Sequence, residues 1–310
     1  NVYNNPGLSE KLRLTFVNDP DLGLRIGVAR DPRTPPAILV LLATNASRDV
    51  AYAAIENPLA PPEAAIQHAR MRGDKAGYFI TALSRIDWIN EAARHKEFRP
   101  YLVMNRNALL YLLNELAEDP DPAVRKAFLS QISHPFPPEC VRRLAKNANE
   151  EQRIIIAHRP TAPAELLLAF AHDPCVEVRR RTAYHVRAPA QALRLLAKDP
   201  EHRIRGHVAE NPNTPVDVLR DLAGDDHNFA LARNAHTPTD ILASLALLPD
   251  HSLYRHIAGN TGTPPDTLKR LATDSDNEVR QRTAENPGTP DPTLETLASD
   301  TEWRVRDALA

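Results

Sequence analysis

The chain has 310 residues, 42% of them apolar, and carries 38 Lys and Arg against 40 Asp and Glu for a net charge of −2. That balance excludes bulk attraction to nucleic acid or anionic lipid. No apolar run approaches the roughly 18 residues of a membrane span and no leader-like segment opens the chain, so the expected location is cytoplasmic.

Proline is the outlier, 28 against 10 glycines. Most prolines fall in recurring Asp-Pro, Asn-Pro and Thr-Pro pairs, which punctuate helices rather than mark disorder. The chain opens on Asn5-Pro6-Gly7-Leu8-Ser9, in register with Asn286-Pro287-Gly288-Thr289-Pro290, so it starts on the second helix of a two-helix unit. It ends at Ala310, after a first helix carrying Val305-Arg306, and both ends read as cut from a longer array or as atypical caps. Prolines 35, 61, 137, 163, 189, 215, 238, 264 and 290 recur at the start of second helices, and six of the eight intervals are 26 residues. Eight residues after each stands an alanine, from Ala43 to Ala298, small enough to let neighbouring helices approach.

Between Pro61 and Pro137 the cap signals vanish, although Ala93 and Ala117 hold the alanine phase. Helices are predicted over Lys75–Leu83, Ile86–His95 and Asn107–Leu116, with breaks at Gly73-Asp74 and Arg99-Pro100. From Asp119 the register returns, with Asp119-Pro120, Asp173-Pro174 and Asp199-Pro200 expected to cap first helices. The unit Asp225–Ala246 is three residues short, a loss placed around Arg233-Asn234-Ala235-His236. In the clearest unit, Asp274 to Asp300, Asp274 or Asp276 caps the first helix. Asn286-Pro287-Gly288 breaks it, Thr289 caps the second helix, and Leu294, Leu297 and Ala298 form the apolar stripe. Helices this short are unstable alone, so stacked copies are implied. The expected fold is an all-α solenoid of about 11–12 two-helix repeats. It is read as one array over 1–310, regular over 1–69 and 119–310 and degenerate over 70–118.

The pattern D-P-x(3)-[VI]-R-x(2)-x-A-x-N-P-x-T-P-x(3)-L-x(2)-L-A resembles the leucine-rich repeat variant, a bacterial family similar to HEAT and armadillo repeats. The resemblance implies a right-handed superhelix of paired short helices and lapses from about residue 70 to 118. The family's founding member carries an iron–sulfur cluster held by cysteines. The two cysteines here, Cys140 and Cys175, lie in different repeats, so that cofactor does not carry over and none is expected.

An arginine recurs in the first helices: Arg25, Arg125, Arg153, Arg179, Arg205, Arg255, Arg280 and Arg306. The ladder reads either as a basic stripe for phosphates or as structural pairs with capping aspartates such as Asp173, Asp199 and Asp274. Bidentate Arg–carboxylate pairs suit repeated interfaces, which favours the second reading. His134, His158, His185 and His236 fall near inter-helix turns, where Asn57, Asn211, Asn260 and Asn286 stand in other units, and no metal-ligand spacing links them. No metal is expected, and no catalytic motif is present.

Residues 70 to 111 hold six of the chain's sixteen aromatics, and between Arg70 and Arg106 eight Lys and Arg face four Asp and Glu. Basic plus aromatic is the composition of contact hot spots and nucleic-acid platforms; bulky side chains filling a wider core account for the aromatics equally. The expected contact residues are Tyr78, Trp88, Arg94, Lys96, Arg99 and Tyr101. The function expected is a non-enzymatic scaffold for a protein partner, with no membrane. The alternative is a nucleic-acid-binding HEAT-like protein, possible also as a DNA-glycosylase-like enzyme built on Asp87 and Trp88.

Overall fold

The computed structural model describes residues 9–131 and 135–309, apart from the side chain of Asp74. Among these the protein is all-α, with 24 α-helices, three short 3₁₀ turns and no strand, the fold of an α-solenoid. No described helix is long and apolar enough to cross a membrane. The chain divides into two compact units, Asn1–Gln131 and Ile132–Ala310. His134 lies outside the described residues.

In the second unit, nine-residue first helices (Glu150–His158, Val176–Tyr184, His202–Glu210, His251–Gly259, Asn277–Glu285) alternate with seven-residue second helices such as Ala190–Leu196 and Val216–Leu222. Their apolar positions interleave in one core that includes Leu193, Ile204, Val208, Leu219, Leu253 and Val279. The recurring alanine is the residue that closes each second helix, as at Ala197 and Ala272.

Two cap assignments are corrected. The aspartates of Asp119-Pro120, Asp173-Pro174 and Asp199-Pro200 stand two residues ahead of the cap. Asp119, Asp173 and Asp199 accept the N–H groups of Asp121, Cys175 and Glu201 at 2.8, 2.9 and 2.9 Å, and those three residues are the N-caps. Asp274 likewise serves Asp276, which caps Asn277–Glu285. Thr289 is not a cap either, because the N-cap of the second helix is Pro290. The buried threonine hydroxyls point inward instead and donate to the carbonyl six residues back: Thr214 to Val208, Thr263 to Ile257 and Thr289 to Thr283, the last two at 2.6 Å. Each is a second donor to a last-turn carbonyl of the first helix, which also accepts the backbone N–H of the asparagine that closes that helix. Thr214→Ala is therefore expected to cost about 1 kcal/mol through this bond, and Thr214→Ser, which keeps the hydroxyl, clearly less. Urea denaturation of both variants checks it.

The short unit is also corrected. Its turn, Asn234 to Pro238, keeps full spacing, but Asp225 to Asn234 spans 9 positions where Asp199 to Asn211 spans 12. The loss is in the first helix, which shrinks to Asn228–Arg233. Asp226 takes a positive φ of 60° at the tightened turn, a conformation aspartate tolerates better than most residues. The buried ring of His227 stands over Gly206, with Nδ1 3.5 Å from where a Cβ would lie.

One side chain joins successive repeats. The Asn211 amide donates to the carbonyls of Ala183 and His185 at 2.7 and 3.0 Å, and its oxygen accepts the N–H of Asn213. Asn57, Asn234, Asn260 and Asn286 repeat this. His185 does the same work with one donor, on the Arg159 carbonyl at 2.8 Å.

In the first unit the degenerate stretch is helical with shifted bounds: a 3₁₀ turn Gly73–Lys75, then Ala76–Thr81, Ile86–Arg94 and Leu110–Ala117. Arg99–Leu102 is a helix where a break was expected, since Pro100 falls in its first turn, where a missing N–H costs nothing. Asp31 takes the asparagine position and pairs with the buried Arg13 and with Arg33. Burial alone would raise its carboxyl, but donation from Arg33 and Arg13 outweighs it and holds the pKa at about 2.

Candidate functional site

The arginine ladder is built into the stack. Arg179 Nη1 donates to the carbonyls of Asp173 and Pro174 at 2.9 and 3.2 Å, while Nε and Nη2 grip Asp199 of the next repeat at 2.6 and 3.3 Å. Arg153 meets Asp173, Arg205 meets Asp225 and Arg280 meets Asp300 at 2.6, 2.9 and 2.7 Å. Arg25, Arg125 and Arg306 make the carbonyl contacts of their own repeats. The aspartate bond raises the pKa of Arg179 and Arg280, so both stay charged. Arg255 is one residue out of register. Tyr254 holds the place and donates its hydroxyl to the Leu248 carbonyl, while Arg255 pairs with Asp276 and Glu278 at 2.6 and 2.7 Å. A second ladder, on the second helices, has no counterpart in the sequence reading: Arg142–Glu165, Arg194–Asp217 and Arg220–Asp240.

The six expected contact residues divide. Trp88 is only 5% exposed, so it is core and not surface. The Arg85 guanidinium covers its ring at 4.6 Å and also pairs with Asp87 at 2.6 Å, which lowers the Asp87 pKa. Arg99 is a ladder rung: Nε donates to the Ala93 carbonyl at 2.8 Å and Nη1 to Asp119 at 3.1 Å. It lies six residues before Asn105, as Arg205 does before Asn211. The other four reach the surface. Tyr78 is 81% exposed, Lys96 is exposed, and Arg94 is exposed while paired with Glu91 at 2.7 Å. Tyr101 is partly exposed and lies so close to Gly77 that a Cβ there would sit 2.6 Å from its ring. Both methionines of the chain, Met71 and Met104, are exposed in the same stretch, with Ile86 and Tyr111.

The ladder is interrupted at Ala51, six residues before Asn57, and the next repeat has Met71 where the paired aspartate would stand. A depression of about 310 Å³ opens there, lined in part by Ala51, Met71, Arg48, Arg72, Lys75 and His68. Among the described residues no carboxylate lines it, and none of the three cations forms an ion pair. Arg72 Nη1 donates to the Tyr52 hydroxyl at 3.1 Å and lies 3.3 Å from His68 Nε2; its Nε is buried without a partner. His68 Nδ1 is 3.0 Å from the Ala43 carbonyl, and burial, then Arg72, pushes its pKa down, so the ring is neutral and donates from Nδ1.

Glu63, Glu91 and His95 bring three potential ligand atoms within 4.8 Å of one another. His95 Nδ1 faces an Arg70 guanidinium nitrogen at 3.1 Å. A ligating imidazole donates from its second nitrogen, whereas here that nitrogen faces a cation; Nε2 lies 3.5 Å from Glu91 and is buried without a hydrogen-bond partner.

No family model matches the chain. No curated protein matches it either. Among solved structures it is similar to a leucine-rich repeat variant described as having a novel repetitive structural motif, at 22% identity and a TM-score of 0.45, covering 74% of this chain and 87% of that one. It is also similar to an engineered protein, at 16% identity and a TM-score of 0.31, covering 97% and 96%. The first bears the name of the family that the repeat consensus resembles.

Proposed function

We propose that the chain is a non-enzymatic scaffold whose partner is a protein, docked on the surface that the irregular repeats of the first unit present. The observation that carries this reading is the gathering of Met71, Tyr78, Ile86, Tyr101, Met104 and Tyr111 at the surface of one short stretch. Tyrosine anchors and adaptable methionines are what contact surfaces use. The nucleic-acid alternative is weakened because the ladder guanidiniums are engaged by carbonyls and carboxylates, and because Trp88 is buried away from any base. A cytoplasmic place belongs to the same reading. Two free cysteines fit a reducing compartment, and burial pushes the Cys140 thiol up to about 11, which leaves it inert.

The test is affinity measurement against a partner captured by the wild-type chain. Tyr78→Ala with Lys96→Glu is expected to weaken binding by tenfold or more, about 1.4 kcal/mol, with an unchanged melting curve. Equal binding by the double variant, or retention on heparin that falls steeply with salt, overturns the reading.

A further inference from the structure

We propose that the depression at the interrupted rung binds a phosphate dianion, the terminal group of a phosphorylated side chain or small molecule. Arginines over much of this chain are consumed by carboxylates of the same or the next repeat, as Arg153, Arg179 and Arg280 are. At Ala51 and Met71 both members of the rung are gone, and Arg48, Arg72 and Lys75 line the space with no acid among the described lining residues; Asp49, beside Arg48, is exposed and outside the lining. Three like charges around one hollow repel one another. A doubly charged oxyanion relieves that repulsion more fully than a single carboxylate.

The donors are also arranged for such a group. Arg72 is held on two sides, by the Tyr52 hydroxyl and by the acceptor nitrogen of His68, and its guanidinium lies 5.7 Å from the Tyr52 ring centroid. His68 is in turn fixed by the Ala43 carbonyl. The Nε of Arg72 has no protein partner but is shielded from solvent, so it is not itself a contact for a ligand in the hollow. Lys75 and Arg48 are exposed and free to close on a ligand. Arg48 opens the helix Arg48–Ile55, whose N-cap, Ser47, makes no side-chain bond to the first turn; the positive end of that helix adds to the field, offset in part by Asp49 in the same turn. Guanidinium forks and a lysine point charge together are the usual recognition set for phosphate. The hollow is open to solvent, which suits the end of a larger molecule. The inference does not rest on the protein-docking reading above: Met71 is common to both places, but the cations that carry it, Arg48, Arg72 and Lys75, are not among the docking residues.

The experiment is calorimetric titration of the whole chain at neutral pH and low salt with inorganic phosphate, then with O-phosphoserine, and with serine as the uncharged counterpart. Saturable one-site binding of phosphate or phosphoserine, with none of serine, is the expected result. The tighter of the two ligands identifies whether a free phosphate or an esterified one is preferred. Arg48→Ala with Lys75→Ala, both exposed and outside every ladder, is expected to weaken the affinity by tenfold or more. Arg142→Ala, at an exposed paired arginine in the other unit, is expected to leave it unchanged. Absence of saturable heat with either anion up to about 10 mM, a range that includes weak specific binding, overturns the proposal. Equal affinity in the double variant also overturns it.

Discussion

Trp88→Ala is expected to lower the stability of the first unit by about 3–5 kcal/mol, the range for removing a large buried aromatic. Trp88 lies on the helix Ile86–Arg94 with Ile89 and Ala92, and all three are buried. Its loss empties a hole that short, mutually braced helices cannot close by sliding, because Arg85 is tied to the Ala60 carbonyl at 3.0 Å as well as to Asp87. One feature lowers the cost. The indole Nε1 is buried without a partner, so alanine also removes an unsatisfied donor. Trp88→Phe keeps an aromatic ring while removing the N–H and part of the volume; it is expected to cost clearly less than Trp88→Ala. Chemical denaturation of both variants decides it. A stable Trp88→Ala protein that has lost only partner affinity would show that the ring acts at the surface, against its burial.

Asn211→Ala is expected to cost about 3 kcal/mol in the second unit. The amide makes three hydrogen bonds, each worth about 1 kcal/mol net; the two that cross to the preceding repeat are buried and the third is half-buried. Removing it leaves the Ala183 and His185 carbonyls facing an apolar methyl. Asn211→His is expected to recover part of the loss. A histidine at the equivalent position, His185, donates to the Arg159 carbonyl and accepts the N–H of Arg187 at 2.9 Å. Asn211→Asp is expected to be worse than alanine, because a carboxylate would face two carbonyl oxygens. Melting of the three variants gives the order, and an alanine variant as stable as the parent would remove the asparagine from any joining role.

Much of the fold was legible because prolines and alanines mark the ends of second helices at constant spacing. What those letters cannot tell is direction. Thr289 before Pro290 has the look of a cap, yet with proline in the cap place its hydroxyl turns inward to Thr283. The candidate site was legible only in part, because aromatic content does not distinguish core from surface. The helical spacing of Trp88, Ile89 and Ala92 carried the missing signal. Counting from the asparagines instead of the prolines would have put Arg99 in the ladder, six before Asn105, and Arg255 out of it. The same count reaches Ala51 before Asn57, and so the missing rung. The second-helix pairs could not be read this way, because Arg142, Arg194 and Arg220 meet a glutamate or an aspartate at 23 or 20 residues' distance.

That change of distance shows where the array permits its length to vary. Arg194 reaches 23 positions ahead to Asp217 and Arg220 only 20 ahead to Asp240, yet both contacts form, although three residues are missing between the second pair. From Asn234 to Pro238 every residue is counted, by the asparagine amide on one side and the threonine hydroxyl on the other. Ahead of Asn228 only a turn is counted, and a histidine ring can occupy the room of the lost residues. In this repeat the deletion falls on the side away from the counted turn, and an engineer who wished to shorten or splice the unit would cut there.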